Sequence, residues 1–139
     1  MCVCSDATCI LKIDPLKQRA ITFGKVSTKK NKWQGGVLCP SDGCVYAVPA
    51  DMDNVLKIHT GHDTSTNKYN EIDFIDVPPP TDVEDKWQGG FLAQDGTIYG
   101  IPVSITFVHT LVSCIIYLVP SCQTHDTSKL HILCCITNL

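Results

Sequence analysis

The sequence predicts an all-β fold made of antiparallel four-stranded repeat units, and three observations support that fold class. The segment KWQGGVLCPSDGCVYAVP at residues 32–49 returns, with small changes, as KWQGGFLAQDGTIYGIP at residues 86–102. A second likeness joins ILKIDP at residues 10–15 with VLKIHT at residues 55–60, 45 positions later. No segment before residue 103 has the apolar period of a helix. The chain therefore repeats a unit of β-strands and begins within a copy of it.

Each strand of the unit has a recognisable beginning and end. GGVLC is a short apolar run after a glycine pair, and the following SDG is a turn signal, because Asp-Gly tolerates the positive φ of tight hairpins. CVYAV is rich in β-branched and aromatic residues, and Pro49 ends it. VLKI then predicts a third strand. EIDFI at residues 71–75 alternates apolar and polar residues, which predicts a fourth strand that corresponds to AITFG at residues 20–24.

Four short strands in a unit of roughly 45–55 residues are typical of the blades of a β-propeller. The sequence thus predicts an incomplete β-propeller of about two blades' worth, with a partial unit at residues 1–31, a full unit at 32–85 and a partial unit at 86–102. The predicted structural positions of the repeat are Trp33, Gly35, Gly36, Asp42, Gly43, Tyr46, Pro49, Trp87, Gly89, Gly90, Asp95, Gly96, Tyr99 and Pro102. No residue is assigned a catalytic, cofactor-binding or metal-binding role.

The two copies of the longer repeat are expected to be equivalent hairpins, with the Asp-Gly pairs in the turns and the two tyrosines in matching environments. Trp33 and Trp87 precede glycine pairs at the same place in each copy. We expect both to pack between neighbouring units, since a single blade cannot bury its own faces.

The composition changes after Pro102. Residues 103–139 hold two charged residues, but four of the nine cysteines and three of the five histidines. This divergent apolar tail has no consistent strand or helix period, and its first dipeptide, Val-Ser, is what common splice-donor sequences encode in frame. The leading interpretation is therefore non-native sequence, outside the evolved repeat. Two alternatives stay open: residues 103–122 are long and apolar enough for a membrane anchor, and residues 105–108 could form the missing third strand.

The motif WQGG, followed by DG-x-I/V-Y-x-I/V-P and then by VLKI, resembles the repeats of propeller-type proteins, in the style of kelch-like and of gluconolactonase-like or streptogramin-lyase-like propellers. The resemblance covers residues 1–102 and implies blades in which the Asp-Gly turn joins two strands and an aromatic residue packs the blade. Such propellers include enzymes and binding scaffolds alike. The sequence departs from the pattern at Cys4, where the other copies have Pro49 and Pro102, and it matches no catalytic signature of the enzymatic propellers.

The cysteines and histidines are interpreted as structural. The N-terminus lacks the features of a signal peptide, so reduced thiols and a cytoplasmic location are favoured. Cys39 and Cys44 flank the first Asp-Gly turn; a disulfide between them is geometrically feasible, but two small, reduced core residues are preferred. The C-x-C-x4-C pattern at residues 2–9 lacks a second ligand pair for zinc. HTGHD at residues 59–63 is interpreted as a polar loop.

Charge argues against some partner classes. The net charge of −3 and the lack of a basic stripe argue against nucleic-acid binding. The basic run KVSTKKNK at residues 25–32 is interpreted as a solvated loop. Acidic residues between the strands are interpreted as solvated turn formers instead of cation ligands. They are Asp51, Asp53, Asp63, Asp82, Glu84 and Asp85.

The expected function is a non-catalytic binding or scaffold module for an unidentified protein or small ligand, without a cofactor. The alternative is a fragment of an enzymatic propeller, such as a metal-dependent lactonase or hydrolase or a lyase, and a second alternative is a membrane-tethered repeat protein. Propellers close with about 4–8 blades. Because two blades leave sheet edges unpaired, we expect self-association through those edges.

Overall fold

The computed structural model describes residues 5–61, 67–76, 83–94 and 96–103, with the backbone alone for Pro102 and for residues 115–119 and 132–134. Within these ranges every regular element is a β-strand and none is a helix, which confirms the all-β prediction. The strands are β1 (Cys9–Asp14), β2 (Arg19–Lys25), β3 (Trp33–Leu38), β4 (Val45–Pro49), β5 (Asn54–Thr60), β6 (Tyr69–Asp76), β7 (Trp87–Leu92), β8 (Ile98–Pro102), β9 (Ile115–Val119) and β10 (Ile132–Cys134).

The described strands form three antiparallel sheets in which neighbours in space are neighbours in sequence. β1 and β2 make a two-stranded sheet, β3 to β6 a four-stranded sheet, and β7 to β10 another. The first sheet is a hairpin, and the other two have the strand order of a meander, since strands successive in sequence are paired neighbours. We call these sheets, with the loops that precede them, the first, second and third units.

The hairpins β3–β4 and β7–β8 share one pairing register. The corresponding pairs are Trp33–Pro49 and Trp87–Pro102, Gly36–Ala47 and Gly90–Gly100, Val37–Tyr46 and Phe91–Tyr99, and Leu38–Val45 and Leu92–Ile98. Both first strands carry a β-bulge within the WQGG motif. The two copies are thus equivalent hairpins, as predicted from their sequences.

The tight turns of the two hairpins also correspond. In the first, Cys39 N donates to Cys44 O at 2.8 Å, and in the second Ala93 N donates to Thr97 O at 2.8 Å. Each turn contains a glycine with positive φ, 65° at Gly43 and 84° at Gly96, as the Asp-Gly signal requires. Asp95, the predicted partner of the second glycine, lies outside the described residues.

The β1–β2 hairpin differs from its counterpart β5–β6 in the place of its bulge, which lies between Cys9 and Ile10 in the first and between Ile58 and Thr60 in the second. Ile10 pairs with Phe23, while its equivalent Val55 pairs with Ile75. Gly24, with φ of 62°, is the extra residue of a bulge beside the Cys9–Lys25 pair. Both AITFG and EIDFI form the predicted fourth strand of their unit. Their residue-by-residue alignment is wrong by one position, because Phe23 corresponds to Ile75 and not to Phe74. A slip of one residue exchanges the two faces of a strand, so the difference decides which side chains are buried.

The two faces of the second unit carry separate apolar clusters. The face toward the first unit contributes to a cluster of Ile10, Val26, Trp33, Ala47, Leu56 and Ile58, with Phe23, Val45, Met52 and Ile72 packed against it. The face toward the third unit contributes to a cluster of Val37, Cys39, Cys44, Tyr46, Val55 and Ile98, with Ile75 and Leu92 packed against it. We call the face of a unit toward the preceding unit its leading face, and the face toward the following unit its trailing face.

Two described segments of the divergent tail, residues 115–119 and 132–134, continue the third sheet. β9 pairs with β8 through Ile98–Val119 and Tyr99–Leu118, and β10 pairs with β9. The segment IIYLV that forms β9 is β-branched and aromatic, which suits a strand. The alternative third strand at residues 105–108 lies outside the described residues. That the tail is non-native sequence stays a prediction.

Candidate functional site

The contact between the units is the part of the molecule in which most of the predicted repeat positions meet. Trp33 and Trp87 are 1% and 2% exposed, at the start of the first strand of the second and third units. Trp33 Nε1 donates to Asn54 O at 2.8 Å, and its ring stacks on Phe74 with centroids 6.2 Å apart. The structure therefore places both indoles as packing residues and not as an exposed binding surface.

The glycine pairs after these tryptophans let two backbones approach each other. Gly35 and Gly89 both have φ of 74°, which L side chains adopt only with strain. A Cβ added to Gly35 would lie 2.9 Å from Gly89 Cα. The bulges of two neighbouring units thus face each other at close range.

The next glycine of the third unit makes room for a side chain of the second. A Cβ at Gly90 would lie 3.0 Å from Val48 Cγ2, and one at Gly100 would lie 3.1 Å from Val48 Cγ1. Val48, on the trailing face of the second unit, is 4% exposed. Small residues on the leading face of one unit therefore receive an apolar side chain from the trailing face of its neighbour.

The two tyrosines share a ladder position but not an environment. Tyr46 is buried, and its Oη donates to Asp42 Oδ2 at 2.6 Å. Tyr99 is half-buried and stacks on Phe91, with ring centroids 5.3 Å apart. The expectation of matching environments is wrong, because the third unit covers Tyr46 and no described residue covers Tyr99 in the same way.

A backbone-to-carboxylate hydrogen bond joins successive units twice. Asn31 N donates to Asp6 Oδ1 at 2.8 Å, and Asp85 N donates to Asp51 Oδ1 at 2.7 Å. The two donors are 54 positions apart and the two acceptors 45, which are the repeat offsets found in the sequence. Both donors have positive φ, 48° at Asn31 and 51° at Asp85. We call these contacts the inter-unit hydrogen bonds.

Further bonds surround the inter-unit hydrogen bonds. Asn31 Nδ2 donates to Asp51 Oδ1 at 3.1 Å and also to a carboxylate oxygen of Asp85, and Gln34 Nε2 donates to Asn31 Oδ1 at 2.8 Å. The interpretation of Asp51 and Asp85 as solvated turn formers is therefore incomplete. Asp6 and Asp51 stand 45 positions apart, at equivalent places in the repeat, which was the sequence signal for their role as acceptors. The contributions of Asn31 and Gln34 were not predicted.

Two lysines before the tryptophans were also missed. Lys32 is fully buried and Lys86 nearly so, and they are equivalent repeat positions. Lys32 Nζ donates to Lys29 O at 2.7 Å, and Lys86 Nζ donates to Val83 O at 3.0 Å and forms an ion pair with Asp53 Oδ1 at 3.3 Å. The solvated-loop interpretation of residues 25–32 is wrong for Lys32. The sequence signal that could have identified them is the lysine that precedes WQGG in both copies.

A chain of hydrogen bonds runs from the first hairpin turn to the outer strand of the second unit. Cys44 Sγ lies 3.6 Å from His59 Nδ1, and His59 Nε2 lies 2.8 Å from Asp73 Oδ2. Lys68 Nζ donates to both carboxylate oxygens of Asp73, at 2.9 and 2.7 Å. His59 belongs to β5 and is buried, so the polar-loop interpretation of residues 59–63 is wrong at this position.

This thiol, imidazole and carboxylate stand in the order that nucleophilic cysteine sites use. The burial of Cys44 and His59, however, removes both from contact with a substrate in this structure. Cys44 belongs to the apolar cluster between the second and third units. The arrangement therefore satisfies a buried histidine and fixes β4, β5 and β6 relative to one another.

The carboxylate at the end of this chain should make stability depend on pH. The hydrogen bond from Lys68, followed by that from His59, lowers the pKa of Asp73 below its ordinary value of 3.8. A lowered folded-state pKa means that the contribution to stability is present above pH 3.8 and is lost as the pH falls through the folded-state pKa. We expect the urea midpoint of the wild-type chain to begin falling below about pH 5 and to keep falling as the pH drops through the folded-state pKa of Asp73.

The matched variants are Asp73→Asn and Asp76→Asn, which remove carboxylates from the same strand. Asp73→Asn is expected to flatten the fall of the urea midpoint below pH 5, whereas Asp76→Asn, at an exposed position, is expected to leave it unchanged. Equal slopes for the wild-type chain and Asp73→Asn would refute the assignment to Asp73.

The three cysteines whose side chains the structure describes are in two states. Cys9 and Cys44 are reduced, so the disulfide that was feasible across the first hairpin is not formed. Cys39 is disulfide-bonded, and neither Cys9 nor Cys44 is its partner. The expectation of a reduced thiol is therefore wrong for Cys39.

Within the described ranges, no group of three or more His, Cys, Asp or Glu side chains is arranged to hold a metal ion. Comparison with protein-family models, curated proteins and solved structures finds no match to this chain. The part of the chain that the structure describes also contains no helix long and apolar enough to cross a membrane.

Proposed function

We propose that the chain is a non-catalytic binding or scaffold module made of propeller-type repeats. The observation that carries the proposal is that the same contact between units occurs twice. The inter-unit hydrogen bond from Asn31 to Asp6 recurs from Asp85 to Asp51, with similar lengths and the same backbone conformation at the donor. Equivalent contacts at a fixed repeat offset are what stacked repeat units require, because each unit is stabilised mainly by its neighbours.

The polar groups that could carry chemistry are already engaged in this packing. Asp51 Oδ1 accepts hydrogen bonds from Asp85 N and Asn31 Nδ2, and Asp6 Oδ1 accepts one from Asn31 N. A cation at this position would have to displace these N–H donors. The carboxylates are therefore better suited to fixing the first strands of adjacent units than to binding a substrate or metal.

A binding role is consistent with the apolar side chains that remain exposed. Phe74 and Tyr69 on β6 are about half exposed and lie at the outer edge of the second unit. Aromatic side chains supply contact area at low conformational-entropy cost, which suits the recognition of a protein or a small ligand.

The stability and the lactone-hydrolysing activity of the Asp51→Ala variant distinguish a scaffold from an enzymatic propeller fragment. A scaffold predicts that Asp51→Ala lowers the free energy of unfolding by about 1.5–3 kcal/mol, since it removes charge-assisted hydrogen bonds between units. It also predicts that Ca²⁺, Mg²⁺ and Mn²⁺ leave the melting temperature of the wild-type chain unchanged, and that lactone substrates are not hydrolysed in their presence.

The control is Asp14→Ala, because Asp14 accepts backbone hydrogen bonds only within its own turn, from Leu16 N and Lys17 N at 3.1 Å each. Hydrogen exchange should accelerate in β7 and β8 for Asp51→Ala and in β1 and β2 for Asp14→Ala. Cation-dependent lactone hydrolysis that is lost in Asp51→Ala would overturn the proposal in favour of the enzymatic alternative.

A further inference from the structure

The trailing face of the third unit is apolar and uncovered in the described part of the chain. Phe91 is 52% exposed, whereas its repeat equivalent Val37 is 9% exposed between the second and third units. Ile101 is 47% exposed, whereas its equivalent Val48 is 4% exposed. The same positions are thus buried in the second unit, where the third unit packs on them, and exposed in the third unit.

The leading face of the first unit is open in the same manner. Ile13 is 56% exposed, whereas its equivalent Ile58 is fully buried against the first unit. Leu11 is half-buried where its equivalent Leu56 is fully buried. The described part of the chain therefore exposes one apolar face at each end of its array of sheets, and the two faces are of the complementary kinds that pack together inside it.

We propose that a second copy of this chain covers these faces: the trailing face of the third unit in each copy packs on the leading face of the first unit in the other, closing a head-to-tail ring. This inference rests on the proposed function, since it extends the repeat packing across two molecules. The occupant follows from the internal contact, in which a trailing face is already covered by a leading face. Ile10 and Phe23 of the first unit pack in this way on Leu56 and Ile58 of the second.

The ring geometry agrees with the number of sheets. A head-to-tail contact is heterologous, and such contacts form closed rings when the rotation between copies permits. The described residues form three sheets, so two copies of this part of the chain supply six, within the range of about 4–8 blades of closed propellers. The contact differs from the edge pairing expected from the sequence, because it buries side chains of sheet faces and not backbone groups of edge strands.

The experiment compares the full-length wild-type chain with Ile13→Asp, Phe91→Asp and the control Leu16→Asp by native mass spectrometry and light scattering. Ile13 and Phe91 are exposed within the chain, so each variant is expected to keep its fold, which circular dichroism checks. Leu16 is the most exposed large apolar residue described and lies in the β1–β2 turn, away from both faces. The wild-type chain and Leu16→Asp are expected to be dimers at micromolar concentration, and the other two variants monomers.

Mixing the two monomeric variants tests the head-to-tail arrangement itself. Ile13→Asp keeps an intact trailing face and Phe91→Asp keeps an intact leading face, so an equimolar mixture restores one of the two contacts. We expect a 1:1 heterodimer that neither variant forms alone. A self-complementary contact through one face would leave the variant with that face intact as a homodimer, and a contact through sheet edges would leave both single variants dimeric; either result overturns the proposal.

A second measurement does not depend on the folding of the aspartate variants. A photo-crosslinking amino acid in place of Ile101 is expected to capture residues of β1 or β2 from another copy. A wild-type chain that stays monomeric across the concentration range, or capture that is confined to one copy, refutes the ring. The proposed function would still stand in that case, since its own test is the effect of cations and of Asp51→Ala.

Discussion

Replacing Trp33 by alanine is expected to lower the free energy of unfolding by about 3–5 kcal/mol, the range observed for large aromatic side chains removed from protein cores. Trp33 is nearly fully buried in the cluster between the first and second units, where its ring stacks on Phe74. The substitution also leaves the carbonyl of Asn54 without its indole donor. Since small domains are stable by only about 5–15 kcal/mol, Trp33→Ala removes a large share of the total.

The measurement is urea unfolding followed by circular dichroism, which does not depend on the fluorescence of the removed indole. Leu16→Ala is the control, because Leu16 is 95% exposed and its truncation is expected to change the free energy by less than about 0.5 kcal/mol. Trp87→Ala should resemble Trp33→Ala, since the two indoles hold equivalent buried positions. A cost below about 1 kcal/mol for both tryptophans would show that the indoles do not contribute to unit packing in solution.

The strands and their order could be predicted from the sequence because the repeat marks each of them. The two copies of WQGG set the first strand, the Asp-Gly pair sets the turn, and the proline ends the second strand, all of which are local signals. The structure accordingly has β3 to β8 where the repeat predicts strands. The likeness of ILKIDP to VLKIHT likewise located β1 and β5.

The sequence was less informative wherever burial depends on a neighbouring unit. Tyr46 and Tyr99 lie in the similar segments CVYAVP and TIYGIP, yet Tyr46 is buried under the third unit and Tyr99 is half-buried. Lys32 belongs to a run of lysines that looks solvated in the sequence. Its side chain is nevertheless buried, because its ammonium group donates a hydrogen bond to the carbonyl of Lys29. These differences in side-chain burial arise from packing between units, which cannot be predicted from the sequence of one unit alone.

The bulge at Gly24 illustrates a second limit. Aligning the sequences AITFG and EIDFI matched Phe23 with Phe74. In the structure Phe23 pairs with Ile10 just as Ile75 pairs with Val55, so Phe23 corresponds to Ile75. One glycine with positive φ inserts a residue and reverses the faces of the strand before it. Phe23 thereby joins the cluster between units, whereas Phe74 stacks on Trp33 at a partly exposed position.

The glycines of the two WQGG motifs offer a matched pair for the contact between units. Gly35 and Gly89 have the same φ of 74°, so an alanine at either position suffers the same backbone strain, about 1–2 kcal/mol for a residue in a left-handed conformation. Their surroundings differ. A Cβ at Gly35 would lie 2.9 Å from Gly89 Cα, whereas a Cβ at Gly89 would have nothing within 4 Å.

Gly35→Ala is therefore expected to lower the free energy of unfolding by about 2–5 kcal/mol, the sum of the strain and an overpacking cost of about 1–3 kcal/mol. Gly89→Ala should cost only the strain of about 1–2 kcal/mol. Urea unfolding of both variants gives the difference between their free energies of unfolding. Because the backbone strain is the same in both, this difference measures the cost of the steric clash between the two bulges. Because the clash partner is backbone and not a flexible side chain, it can be relieved only by separating β3 from β7. Equal costs for the two variants would mean that the second and third units do not approach this closely in solution.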